Sequence, residues 1–296
     1  MRKLVTVMLL VALVTVSGCA SRGEAGPSAP EFDPPRGMAD HAPEPWDLVG
    51  LWRVSDAEGA DRDTWLYLGA DEARLWSDCG FQFGGWTAGD GRVLIDLYAW
   101  HEDCMADGGK PVVDWLAETV AYTAAMDGWT LLSQTGEVTA HLTIDGAPPR
   151  HPHADDTARQ QPVVDDDLKA RFARIAIPAG MRAARADDLL GRWVPEVAVA
   201  DHVARGFPAP ADEPHLVVDA DGTWTASDGC NASAGRWTVT PDGSLLTTAG
   251  PSTLIGCAGS AEPGRFGTAR AAAFDDDVLV LFDADGAAVA RLGADD

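Results

Sequence analysis

The amino-acid sequence predicts a mainly β (α+β) protein of two tandem antiparallel β-sheet domains, each with one short helix. Three observations predict this class. The 296-residue chain contains the same passage twice, its strand-forming runs alternate with Asp-Gly turns, and one segment in each copy has helical spacing. Antiparallel strands joined by tight turns produce such runs, because successive side chains of a strand point to opposite faces of the sheet.

Residues 1–18 have the pattern of an export signal. Arg2 and Lys3 precede an apolar run over residues 4–16, which is shorter than the roughly 20 residues of a bilayer-spanning helix. The sequence Val-Ser-Gly-Cys that ends at Cys19 resembles the lipobox of bacterial lipoproteins, in which the cysteine is lipidated. We therefore expect an exported protein, anchored to the bacterial membrane through lipid on Cys19 and facing the cell envelope or the outside. An ordinary secretory signal with an unrelated cysteine is the alternative.

Residues 19–46 are expected to form a disordered tether between that cysteine and the first domain. They are rich in Pro, Gly, Ser and acidic residues and contain few apolar ones. A segment of this composition cannot bury enough apolar surface to offset the entropy lost on ordering its backbone.

The chain is strongly acidic, with a net charge of −24 at pH 7. A field of that sign repels phosphate backbones and anionic lipid headgroups. We therefore expect no nucleic-acid partner, and we expect membrane attachment through acyl chains rather than through a basic patch.

The duplication defines the domains. The sequence DLVGLW at residues 47–52 recurs as DLLGRW at residues 188–193. Further pairs follow in the same order, namely residues 79–86 with 230–237, 90–95 with 242–247, and 131–142 with 281–292. A repeated unit of about 100 residues has the usual size of a domain. We predict a first domain at residues 47–146, a linker at residues 147–187 and a second domain at residues 188–294.

Helices are predicted at three places. In the linker, residues 165–176 begin with three aspartates, which are favourable at the positive end of a helix dipole. In each domain, one segment has apolar residues spaced by about four, which predicts a short amphipathic helix packed across the sheet. These residues are Trp115, Leu116, Thr119, Val120, Thr123 and Ala124 in the first copy, and Phe266, Ala269, Ala273 and Phe274 in the second.

Four cysteines remain when Cys19 is assigned to lipid, and disulfides persist in the oxidising compartments that exported proteins reach. Three pairings are possible. The duplication favours Cys79 with Cys104 and Cys230 with Cys257, because each copy then contains one local bridge. A four-cysteine zinc site is the alternative, although the chain lacks the paired C-x-x-C spacing of such sites.

The second copy contains a set of short motifs. They are L-x-G-x-W ending at Trp193, then Gly229, Cys230, Asn231 and Gly235, then Trp237, D-G-x-L from Asp242, and Ser252, Thr253 and Cys257. Together these motifs resemble the META domain of HslJ-like bacterial envelope lipoproteins. The resemblance implies a compact antiparallel β fold, a partly open barrel with one helix, in a family linked to envelope stress. It brings no catalytic residues.

The first copy matches the same family more weakly, so we expect two tandem META-like domains of which the first is degenerate. Cys79, Gly84, Trp86 and Cys104 are in place, whereas Gly80 stands where the second copy has Asn231, and Trp100 and His101 replace Ser252 and Thr253. Asparagine and glycine both tolerate positive φ, so this position is expected to be a left-handed corner of the chain.

Trp76 and Trp100 are additions of the first copy, because they align with serines in the second. Indole rings supply much contact area with one polar group, so the two side chains could line a groove for an apolar ligand or a partner protein. Filling of a larger core is the alternative.

Candidate catalytic and metal-binding motifs are weak. His151 and His153 lie in the linker without a third fixed ligand, and the two Asp-Ala-Asp-Gly stretches at residues 219–222 and 283–286 lack the rest of a calcium loop, so we expect hairpin turns there. We therefore expect no catalytic residue, cofactor or metal.

The sequence favours a non-enzymatic envelope lipoprotein that binds a partner protein or an apolar ligand, linked to envelope stress. An inhibitor-like module acting on an exported enzyme is the first alternative. An unrecognised hydrolase is the second.

Overall fold

The computed structural model describes residues 44–70, 72–100, 104, 113–150, 159–196 and 208–295. The fold is mainly β, with two antiparallel β domains and a few short helices, which confirms the predicted class. In this part of the chain, no helix is long and apolar enough to cross a membrane. The expected signal, Cys19 and the tether up to residue 43 lie outside the described residues.

The first domain is a closed barrel of eight strands in sequence order. Its strands are β1 (Gly50–Ser55), β2 (Trp65–Leu68), β3 (Ala73–Ser77), β4 (Gly80–Gly89), β5 (Arg92–Trp100), β6 (Thr119–Ala124), β7 (Gly128–Ser133) and β8 (Val138–Thr143). Strand β8 pairs with β1 and completes the circle. Closure removes the free strand edges on which other chains could pair.

The second domain repeats this arrangement in a more open form. It begins with β9 (Arg182–Ala183), and its other strands are β10 (Gly191–Pro195), β11 (His215–Val218), β12 (Thr223–Ser227), β13 (Ala232–Val239), β14 (Leu245–Thr247), β15 (Ala271–Asp275), β16 (Val278–Phe282) and β17 (Ala288–Ala294). Strands β14 and β15 are linked through the isolated bridge between Ser244 and Ala271, and β9 pairs with β15. The second domain is therefore a partly open barrel.

Buried tryptophans hold equivalent positions in the two barrels. Trp52 Nε1 donates to the Leu48 carbonyl at 2.8 Å, and Trp193 Nε1 donates to the Leu189 carbonyl at 2.8 Å. Both carbonyls belong to a short helical turn that directly precedes the tryptophan's strand, the 3₁₀ turn Pro45–Leu48 and helix α3 (Ala186–Leu189). A buried indole N–H needs such an acceptor, so the same local structure forms in each copy.

Two glycines allow neighbouring strands to approach closely. A Cβ atom on Gly84 would lie 1.8 Å from the Asp96 carbonyl oxygen, and a Cβ on Gly235 would lie 1.9 Å from the Thr248 carbonyl oxygen. Any other residue would clash with backbone there, so both copies require glycine at this position.

In each domain, the prediction of an amphipathic helix is wrong for the second part of the segment, which forms a strand. Helix α1 (Asp114–Glu118) ends before Thr119, and the chain continues as β6; in the second copy the 3₁₀ turn Pro263–Thr268 is followed by β15. Thr119 Oγ1 donates to the Trp115 carbonyl at 2.8 Å, which satisfies a backbone acceptor at the end of the helix. The β-branched residues that follow favour a strand, and that strand is needed to close the barrel.

The linker packs on both domains. Helix α2 (Asp166–Arg171) is shorter than predicted, and the Leu168 N–H donates to Asp165 Oδ1 at 2.8 Å, which caps it. Leu168 and Phe172 join the first core, where the Phe172 ring lies 5.5 Å from Trp86. The following residues Ile175, Ile177 and Met181 pack against the outer face of the second barrel.

The domains meet through equivalent strands, β4 and β5 against β13 and β14. Arg236 is half-buried in the contact, and its guanidinium donates to the Ile95 carbonyl at 3.1 Å and the Ala117 carbonyl at 2.8 Å. Burial lowers the pKa of Arg236, although the charge of Asp96 opposes this shift. The side chain therefore joins the second barrel to backbone carbonyls of the first domain.

Candidate binding site at the disulfide corner

Each domain contains one disulfide, and both follow the predicted pairing. Cys79 is bonded to Cys104, and Cys230 is bonded to Cys257. Each disulfide lies within one domain, and all four sulfurs are used in these bonds. The four-cysteine zinc alternative is therefore wrong.

Asn231 is the centre of the corner in the second domain. Its Nδ2 donates to Asp228 Oδ2 at 2.8 Å and to the Ile255 carbonyl at 2.9 Å. Its Oδ1 accepts from Thr253 Oγ1 at 2.7 Å and from the Ile255 N–H at 2.6 Å. Both amide hydrogens and both lone pairs of the side chain are therefore used. The amide joins the turn before β13 to the segment that leads to Cys257.

The left-handed conformation predicted for Asn231 is wrong. Positive φ in the corner belongs to Gly229, at 96°, and the non-glycine residues with positive φ in the described chain are Asp56, Asp90 and Asp276. In the first copy Gly80 has a φ of 127°. The chain turns through glycine in both copies, and Asn231 serves through its side chain, which Gly80 cannot replace.

Asp228 supports the same corner. Its Oδ1 accepts the N–H groups of Cys230 at 2.8 Å and Asn231 at 2.6 Å. Partial burial opposes the charge, but the hydrogen bonds from Asn231 and Cys230 outweigh it and hold the pKa of Asp228 below its ordinary value. Asp228 also forms, with Cys230 and Cys257, the candidate metal cluster of the described residues. Both sulfurs are used in the disulfide, so the cluster offers no thiolate to a metal.

Residues 251–256, which we call the corner loop, project from this network. All six are exposed, and the side chains of Leu254 and Ile255 are 97% and 59% exposed. The Asn231 amide holds Thr253 and Ile255, on either side of Leu254. The disulfide at Cys257 fixes the end of the loop. The arrangement presents an apolar side chain to solvent on a backbone that is held from behind.

The other motif residues have structural positions. Trp193 and Trp237 are buried in the second core, and Trp237 Nε1 donates to the Asp219 carbonyl at 3.1 Å. Ser252 is exposed, and its Oγ donates to the Thr253 carbonyl at 3.2 Å. The corner therefore contains Gly229, Cys230, Asn231, Thr253 and Cys257, while the tryptophans fill the barrel.

Trp76 and Trp100 do not form a common groove. Trp76 is 3% exposed and packs with Leu51 and Trp65 outside the main barrel core. Trp100 pairs with Gln82, which also pairs with Leu75 of the interior. Because paired residues share a face of the sheet, Trp100 lies on the inner face and Trp76 on the outer face.

The remaining candidates were the histidines and the Asp-Ala-Asp-Gly stretches. His151 and His153 lie outside the described residues. The two stretches are hairpin turns: the Gly222 N–H donates to the Asp219 carbonyl at 3.2 Å, and the Gly286 N–H donates to the Asp283 carbonyl at 3.1 Å.

Sequence reasoning missed the corner loop itself. The signal was present, because Leu254 and Ile255 lie between Pro and Gly residues in a stretch without strand alternation. Apolar residues in such a stretch are candidates for surface contact rather than for the core.

The fold and the corner define a tandem β-barrel protein with one disulfide in each barrel and an apolar loop held by an asparagine. Comparison of the chain with protein-family models, with curated proteins and with solved structures found no match.

Proposed function

We propose that this protein is a lipid-anchored bacterial cell-envelope protein, not an enzyme, that binds a partner protein through the corner loop of its META-like second domain. The observation that carries the proposal is Leu254, which is 97% exposed although the loop on both sides of it is held by Asn231. Membrane attachment would come from lipid on Cys19.

Energetics favour a binding role for such a loop. Moving one leucine side chain from water into an apolar pocket contributes roughly 1.5–3 kcal/mol. A loop that is already held loses little conformational entropy on binding, so more of that contribution remains as affinity.

Two further observations support the proposal. The motif residues that resemble the META family, Asn231, Thr253 and Cys257, are the ones that build the corner. The two disulfides are typical of proteins in an oxidising compartment outside the cytoplasm. The link to envelope stress rests on the family resemblance.

The proposal is tested by partner capture with the lipidated protein. We expect Leu254→Ser to lose an envelope protein that the unchanged protein retains, because the serine cannot fill an apolar pocket. Met126→Ser is the matched control, because Met126 is also fully exposed but lies in the first domain. Loss of the partner in both variants, or in neither, would contradict a role of the corner loop.

The inhibitor alternative is favoured by one feature, the exposure of a whole loop whose backbone is held by the Asn231 amide. Such a loop suits the cleft of an exported hydrolase. If the captured partner is an enzyme, its activity is measured with and without the protein. Inhibition that Leu254→Ser removes would select this alternative over a simple binding role.

A further inference from the structure

A cleft of about 330 Å³ lies where the two barrels and the linker meet. Its apolar walls include Trp46, Phe172 and Leu246, and its polar walls include Thr87, Arg171 and Arg270. The cleft and the corner loop share no residues, because none of the residues that line the cleft belongs to the disulfide corner. An inference about it is therefore independent of the partner-binding proposal.

Arg270 is the unusual member of this cleft. Its side chain is partly buried, and its hydrogen bond, from Nη1 to Thr87 Oγ1, is long at 3.4 Å. In the described part of the chain, no carboxylate pairs with it. A guanidinium has five N–H donors, and the bond to Thr87 uses one of them. Burial first, and then the nearby charge of Arg171, lower the pKa of Arg270.

The acidic residues of the cleft do not neutralise Arg270. Asp90 forms an ion pair with Arg174, which also binds Asp242 at 3.1 Å. Glu44 is exposed at the beginning of the described chain. The positive charge of Arg270 therefore remains available to a ligand.

The opposite side of the domain interface provides an internal comparison. Thr87 and Thr238 follow the aligned Trp86 and Trp237 directly, so they hold equivalent positions. Arg92 Nη1 donates to Thr238 Oγ1 at 2.6 Å, and the cavity beside them is about 50 Å³. On the Arg92 side the arginine is well bonded and the space is nearly filled. On the Arg270 side the bond is longer and the space is several times larger.

We propose that this cleft binds a small organic anion, with its carboxylate or phosphate group on Arg270 and its apolar part against Trp46 and Phe172. An arginine binds two oxygens of such a group through parallel N–H donors, which makes the contact strong and directional. The net charge of −24 repels anions at long range, but at physiological salt exposed charges more than about 8 Å away are largely screened. The local charge of the cleft then decides binding.

Isothermal titration calorimetry with phenyl phosphate and with benzoate tests the proposal. The salt concentration is about 0.15 M, at which the Debye length is about 8 Å. We expect saturable binding of at least one anion to the mature protein and no binding of benzyl alcohol, which has the ring without the charge. Arg270→Gln should weaken binding at least tenfold. Arg265→Gln is the matched control, because Arg265 is exposed and five positions earlier, and it should bind as the unchanged protein does.

Melting curves show whether Arg270→Gln is folded, and Arg270→Lys serves as a second variant. Lysine keeps the charge but loses the paired donors, so we expect affinity between those of the glutamine variant and the unchanged protein. A preference for phenyl phosphate or for benzoate identifies the oxyanion. Absence of binding to the unchanged protein, or equal binding by the Arg270 variants and the Arg265 control, would overturn the proposal.

Discussion

Asn231 shows how one side chain can determine the shape of a whole loop. The corner loop has few backbone partners of its own, and the amide supplies acceptors and donors in their place. Such a residue is hard to replace, because leaving a partner group unsatisfied costs about 1–3 kcal/mol when it is buried. Its importance comes from the number of bonds it makes rather than from its backbone conformation.

Asn231→Asp should destabilise the second domain by about 2 kcal/mol at pH 7. The variant loses the Nδ2 donor and places a second negative charge beside the Asp228 carboxylate. The new carboxylate would lie where Nδ2 now donates to Asp228 Oδ2 at 2.8 Å. Thermal unfolding measured from pH 7 to pH 4 checks this. A mutant as stable as the unchanged protein at pH 7 would contradict the role given to the amide.

The pH dependence of this variant follows from the sign of the Asp228 shift. The pKa of Asp228 is lowered in the folded protein, so its stabilising effect is complete above the unfolded pKa of about 3.9 and is lost as the pH falls through the folded value. The repulsion in Asn231→Asp also disappears when one carboxylate is protonated. The difference between mutant and unchanged protein should therefore shrink towards pH 4. Asn231→Ala, without the added charge, should lack the repulsive part of this change.

At the scale of elements, the two barrels show which parts of a sequence are strongly determined. The strands and their Asp-Gly turns follow from alternation and from the duplication, and these were predictable. The helical segments were not, because residues such as Thr119 and Val120 have a spacing that fits a helix and side chains that fit a strand. Barrel closure, a long-range requirement, decided between them.

Gly84→Ala and Gly235→Ala should each lower the free energy of unfolding by about 2–3 kcal/mol or more, because the new methyl would overlap a carbonyl of the neighbouring strand. Gly293→Ala is the matched control within β17. It has no atom within 4 Å of the added Cβ and should change stability by no more than about 0.5 kcal/mol. Urea denaturation measures all three. Equal effects at the three positions would show that the close approach does not matter.

The candidate site was only partly predictable, for a related reason. The motif residues Cys230, Asn231 and Cys257 could be selected from the sequence, because cysteine spacing and a family resemblance point to them. The exposure of Leu254, and the absence among the described residues of a carboxylate paired with Arg270, depend on how distant segments pack. Neither leaves a local pattern in the sequence.

At the scale of the whole molecule, the duplication produces an interface between equivalent strands. Arg92 and Arg270 come from different domains, and each donates to the threonine at the same position of the other domain. Arg174 likewise bonds to Asp90 and Asp242, which lie in equivalent Asp-Gly turns. The contacts across the interface are therefore nearly related by twofold symmetry. The cavities beside Arg92 and beside Arg270 differ in volume.

Arg236→Ala should uncouple the barrels, because the Ile95 and Ala117 carbonyls would each lose a charged donor in the interface. We expect calorimetry to show two unfolding transitions that lie further apart in temperature for the variant than for the unchanged protein. Arg192→Ala is the control, since Arg192 is paired with Asp295 within the second domain. Identical calorimetric traces for Arg236→Ala and Arg192→Ala would contradict the coupling role.

The 3₁₀ turn Pro45–Leu48 has a mechanical consequence if lipid on Cys19 anchors the chain. It is the first described element after the tether, and Trp46, within it, forms a wall of the cleft. Trp129 Nε1 donates to the Asp47 carbonyl at 3.1 Å and Trp52 Nε1 to the Leu48 carbonyl, so two indoles fasten this turn to the barrel. A pull on the anchor would act first on this turn, and those two bonds would resist its detachment from the barrel. Tension on the anchor and occupancy of the cleft would then act on the same few residues.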